Sequence, residues 1–150
     1  MKNFLCAVLL VTLQTTVVSV RAVAVAGHSE NQIKAAYLYK FTSYVEWPPS
    51  VFTQANTPLT VGVIGADEVA AELRALIKDR SASDRVIEVK SLKADAPVKD
   101  IQILFIGQRE NGHLKNLLES LQAQPVLTVT ETTNALDSGS VINFLFVGEK

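Results

Sequence analysis

The stretch "LTVGVIGADEVAAELRALIKD", Leu59 to Asp79, decides the fold. Its opening residues, Leu59 to Ile64, are apolar or small without alternation, the pattern of a buried strand. Gly65 closes that strand, and Asp67 starts a helix that the spacing carries to about Asp79. Val69, Leu73, Leu76 and Ile77 recur at three and four and form its inward stripe. A buried strand feeding straight into an amphipathic helix is a unit of a largely parallel sheet, because parallel strands need a crossover.

Downstream the same alternation returns. "IQILFI", Ile101 to Ile106, is a strand buried on both faces, closed by Gly107. Leu114, Leu117, Leu118 and Leu121 make another helical stripe. "PVLTVT" from Pro125 is a further strand, and Thr132 to Asp137 a helical turn. "SGS" then turns the chain into "VINFLFV", Val141 to Val147, a fifth strand. Arg85 to Lys90 sets Val86, Glu88 and Lys90 against Ile87 and Val89, as a half-exposed or edge strand does. The link from Ser91 to Asp100 is short for a full helical crossover and holds either one helical turn or a bare loop. The predicted fold is α/β: three layers, a largely parallel five-stranded sheet, and an N-terminal helix packed on it.

That first helix spans Glu30 to Glu46. Ser29 caps its start, and Pro48 and Pro49 end it. Ile33, Tyr37, Phe41 and Tyr44, widened by Leu38 and Val45, form the stripe expected to face the core. Lys34 lies within the stripe, its stem on the core and its ammonium reaching for water. Ala35, Tyr39, Thr42 and Glu46 then look the other way. On this reading Tyr39, beside small Ala35, is an aromatic without a core role and a candidate partner contact. Trp47 is the third partner-binding candidate, with a second reading as a cap folded over the helix end.

Met1 to Ala26 has the form of a cleaved secretory signal peptide: Lys2, the apolar run "FLCAVLLVTL", and the small residues "AVA" before Gly27. Gln14, Thr15 and Thr16 interrupt the run, which argues against a membrane anchor. The expected mature domain is Gly27 to Lys150. Without Lys2 and Arg21 the 14 basic residues fall to 12 against 15 acidic ones, a net charge of −3. So weak and mixed a charge points away from nucleic acid. The single cysteine, Cys6, leaves with the leader, so an exported domain here relies on its apolar core.

The inventory for catalysis is thin. The mature stretch has no thiol, and His28 and His113 lack metal-ligand spacing. Ser138, Gly139 and Ser140 do not make a nucleophile elbow. Gly62 and Gly65 make neither a dinucleotide fingerprint nor a phosphate loop. The expectation is a protein that is not an enzyme, with no cofactor and no metal. One ligand site remains a candidate, at the carboxyl ends of the strands, where Asp67, Arg109 and Thr130 collect. There Arg109 is suited to a carboxylate and Gly107 leaves room for it.

"IKAAYLYKFTSYVEWP", Ile33 to Pro48, resembles the opening helix of the YfiR-like family. "LTVGVIGAD", "ILFIGQRE", "PVLTVTE" and "SGSVINFLFVGEK" are similar, in order, to the family's successive strands. The resemblance runs from Glu30 to Lys150 and implies an exported α/β protein. In the best-understood type it implies a periplasmic repressor that acts on the sensing domain of an inner-membrane diguanylate cyclase. Such a repressor controls cyclic di-GMP and biofilm formation. The implied partner is therefore the periplasmic domain of a membrane signalling enzyme, with a homodimer as a further possibility. Lys40 stands where the family has asparagine, and the disulfide cysteines are absent. The family's following strand and C-terminal helix are also missing, so a truncated domain, or one that borrows its last element, is expected. A small-ligand sensor or carrier using the strand ends is the alternative function.

Overall fold

A computed structural model describes residues 28–78, 80–82, 85–145 and 147. The expected signal peptide lies outside the described residues. Six strands form one sheet in the order β2-β3-β1-β4-β5-β6. β1 is Leu59–Ile64, β2 Ser81–Ala82, β3 Arg85–Leu92, β4 Ile103–Ile106, β5 Leu127–Thr130 and β6 Ile142–Asn143. The five strands from β3 to β6 run parallel, and the short β2 pairs antiparallel at the outer side of β3. The predicted parallel five-stranded sheet is present. The added β2 is too short for any pattern to announce it.

Helices α1 (Glu30–Tyr44) and α2 (Asp67–Ile77) share one face of the sheet. α3 (Leu114–Leu121) covers the other, together with the Leu92–Val98 link. That link contains turns and no helix. Ala94 and Val98 pack on the second core from it, so a bare loop does the covering. The β5–β6 connection also runs as hydrogen-bonded turns and buries Ala135 in the second core. All four leucines predicted for α3 are buried.

β1 and β4 are buried at every position, as runs without charge or polar alternation require, and Thr60 is the polar side chain buried within β1. The amino end of the sheet is stitched through Gln102. Its side-chain oxygen accepts from the Thr60 amide at 2.8 Å, its own amide donates to Thr60 O, and its carbonyl accepts from Leu127 N. At the other end Gly107 is packed hard against the turn after β1. A Cβ at Gly107 would lie 2.4 Å from Gly65 O. The space expected there for a ligand carboxylate is filled by backbone.

Two expectations are corrected. The first concerns α1. Ala35, Leu38 and Thr42 are buried, whereas Ile33 is 47 %, Tyr37 49 % and Tyr44 73 % exposed. The helix is rotated relative to the predicted stripe because it carries apolar residues nearly all round. Small Ala35 admits the neighbouring elements closely, and Leu38 reaches the core between them. Ala35 therefore lies inside. Tyr39 is partly buried against the first core, with the Arg80 guanidinium 5.3 Å from its ring centre.

The second correction concerns the last strand, expected over Val141 to Val147. Among the described residues only Ile142–Asn143 pairs, because β5 ends at Thr130. The Phe144 amide donates to Thr130 O at 2.7 Å, as the last rung.

Candidate functional site

The rotation of α1 creates a site. Ile33, Tyr37 and Phe41 turn toward β6 instead of the sheet centre and face Ile142, Phe144 and Leu145 across a groove of ≈ 800 Å³. Phe144 is the floor. Its ring lies 5.9 Å from Tyr37, 6.5 Å from Phe41 in a stacked arrangement, and 6.1 Å from buried Phe105. Tyr37 and Phe41 are themselves 6.3 Å apart. Such packing holds the exposed Tyr37 ring in place and spares it ordering entropy when something binds.

The groove is closed at one end by charge. Lys34 reaches from α1 to both Glu30 and Glu131. The Lys34 side chain is 12 % exposed and that of Glu131 16 %. The ammonium predicted to reach water is instead shielded between two carboxylates. Burial alone would lower the Lys34 pKa. The hydrogen bonds to Glu131 and Glu30 outweigh it and hold the ammonium above its ordinary value of 10.5. The other oxygen of Glu131 accepts from the Gln108 amide at 2.9 Å. One side chain therefore ties α1, the end of β5 and the turn after β4 together.

β6 is fastened to β5 by a polar seam. The Thr130 hydroxyl lies 2.9 Å from Ser140 Oγ, 2.8 Å from Asn143 Oδ1 and 3.2 Å from Ile142 O. Asn143 Nδ2 donates to Thr132 O at 3.0 Å. With only two paired residues, β6 depends on these side-chain bonds for its position.

A family model described as YfiR/HmsC-like matches residues 31–150. The chain belongs to the YfiR/HmsC-like family. No curated protein matches it. In this YfiR/HmsC-like chain the match begins at the first residues of α1 and runs through every strand described above.

The strand-end residues are placed as follows. Asp67 opens α2 and is exposed. Arg109 lies in the 3-10 turn Gln108–His113 and pairs with Glu68 at 2.9 Å on the surface. The Glu68 carboxyl is held below its usual range, first by its own backbone amide and then by Arg109. Thr130 is fully buried, and its hydroxyl serves the β5–β6 seam. The two charged groups thus lie at the surface and the threonine inside. Trp47 is half-buried against the first core, and its indole N–H is shielded without a hydrogen-bond partner among the described residues.

Among the described residues no group of histidine, cysteine, aspartate or glutamate side chains is arranged to hold a metal. No described helix is long and apolar enough to cross a membrane. The α1–β6 groove was missed in the sequence because its two walls are over 95 residues apart. The one available signal was an excess of apolar residues on α1, more than a single buried face can use.

Proposed function

We propose that this chain is a regulatory binding protein of the periplasm. On this reading it modulates a membrane-bound diguanylate cyclase by direct contact with that enzyme's periplasmic domain, and so sets cyclic di-GMP and biofilm formation. One observation carries the reading: Ile33, Tyr37 and Leu145 expose a contiguous apolar surface, with Tyr37 at 49 % and Leu145 at 65 %. Exposed apolar patches of this kind mark interaction sites, and a braced tyrosine is a favoured anchor. Membership of the YfiR/HmsC-like family supports the same role. Tyr37 and Leu145 replace Tyr39 and Ala35 as the proposed contacts, since the latter pair is turned inward.

The test is photo-crosslinking in cells that export the full chain beside a candidate cyclase. A photoreactive residue at Tyr37 is expected to capture the cyclase's periplasmic domain, whereas one at exposed Lys115 on α3 is not. Equal capture from both positions, or capture from neither, contradicts the reading.

A further inference from the structure

We propose that a cavity of ≈ 230 Å³ at the amino end of the sheet binds a small polyol of monosaccharide size. The cavity shares no lining residue with the α1–β6 groove. It also lies at the opposite end of the strands from Gly65 and Gly107. The inference therefore stands apart from the partner-binding reading.

Three internal segments build the cavity. They are the 3-10 turn Pro49–Val51 with the residues after it, the entry to β4, and the entry to β5. β4 and β5 are parallel neighbours, so their entries lie side by side. The volume is below the about 300–1,000 Å³ of pockets that take drug-sized ligands, which sets the size of the occupant.

Gln102 carries the argument. It is 3 % exposed and lines the cavity. Its Oε1 accepts from the Thr60 amide at 2.8 Å, and because that amide can only donate, the orientation of the side-chain amide is fixed. Its backbone N–H and carbonyl are taken by Thr60 and Leu127. Its Nε2 has no partner among the described residues, yet it is not sealed within the protein. Stitching the strands together needs only the oxygen. The unused amino group is a donor left open to the cavity.

The other polar groups complement it. The Asp100 carboxylate lines the cavity, is exposed and enters no described ion pair. Gln124 uses its Nε2 on Ser120 O at 3.2 Å, which leaves its Oε1 as an acceptor. The hydroxyls of Ser50 and Thr53 both donate and accept. A donor-only group and acceptor-only groups in so small a space suit a ligand whose polar groups do both. Hydroxyls meet that condition, and the C–H face of a polyol rests on Val51 and Val126. A carboxylate or phosphate is repelled by Asp100. A simple ammonium ion pairs with Asp100 but offers Gln102 Nε2 no acceptor.

The probes are D-glucose, D-galactose and D-mannose, with ethylammonium as the cationic comparison. Each is titrated to about 50 mM into the full exported chain, a range that covers weak binding. The side-chain NH2 resonances of Gln102 are followed by NMR. At least one sugar is expected to shift them saturably, and ethylammonium is not. Asp100 has a left-handed backbone, φ 56°, which asparagine also tolerates. Asp100→Asn should weaken the sugar by about tenfold, the loss of one hydrogen bond to a charged group. Asp137→Asn, on the exposed β5–β6 connection, should leave it unchanged. Where Asp100→Asn melts below wild type, Ser50→Ala takes its place, with an expected loss of about threefold. Absence of a saturable shift with all three sugars overturns the proposal. So does an equal response to ethylammonium, or sugar binding that neither variant weakens.

Discussion

Lys34 on α1 and Glu131 beyond β5, 97 residues apart in sequence, meet in an ion pair largely shielded from solvent. The pair fixes where the N-terminal helix sits against the last parallel strands, and hence the width of the groove. Replacing Lys34 by methionine leaves Glu131 shielded with only the Gln108 amide as a described partner, and a cost of about 2–3 kcal/mol is expected. The effect depends on pH in a definite sense. The folded protein holds the Lys34 proton more tightly than the unfolded chain, because its pKa is raised above 10.5. The pair's contribution is therefore complete below that value and is lost as pH rises through the folded pKa. Urea unfolding of wild type and Lys34→Met at neutral and strongly alkaline pH checks this, since the gap between them should narrow in alkali.

The rotation of α1 separates two neighbouring residues. Leu38 is fully buried and Tyr37 half exposed. Leu38→Ala should cost about 2–5 kcal/mol by opening a core cavity. Tyr37→Ala, which loses contacts mainly to Phe41 and Phe144, should cost about 1 kcal/mol. Denaturant melts of the two variants decide the matter, and the opposite order would restore the helix face that periodicity suggests.

Gly107 offers a test of the packing at the strand ends. An added methyl would meet Gly65 O at 2.4 Å and Ala66 Cβ at 2.8 Å, both fixed by the turn after β1. Gly107→Ala should lose about 2–3 kcal/mol through overpacking. Gly112, with nothing within 4 Å of its built Cβ, is the control and should tolerate alanine. Thermal melting of both variants provides the comparison.

Trp47 carries a shielded indole N–H without a described partner. An unsatisfied donor of that kind costs about 1–3 kcal/mol. Trp47→Phe removes it along with some apolar area, so the two effects offset and stability should change by less than about 1 kcal/mol. A loss several times larger in calorimetry would mean that the indole N–H has a partner.

The sheet was legible because its signals are local. "LTVGVI" and "ILFI" carry no charge and no polar alternation, and a strand covered on both faces uses such a run. α3 was legible because Leu114, Leu117, Leu118 and Leu121 permit one orientation only. α1 was not, since Ile33, Ala35, Tyr37, Leu38 and Phe41 allow two apolar faces, and the choice is made by Ala35 and Leu38 packing into the core. The length of β6 was hidden for a related reason. "VINFLFV" has the composition of a full strand, yet among the described residues its pairing stops where β5 stops. The groove between these elements, with Glu131 closing on Lys34, is a long-range outcome that no window of sequence contains.

The most direct test of the central claim is cyclic di-GMP in cells that export the full chain together with its candidate cyclase. Wild-type protein is expected to lower the cyclic di-GMP level, and Tyr37→Glu, with an unchanged melting temperature, to lose that effect. A Tyr37→Glu variant that lowers cyclic di-GMP as well as wild type does would contradict the assignment of the α1–β6 face as the contact surface.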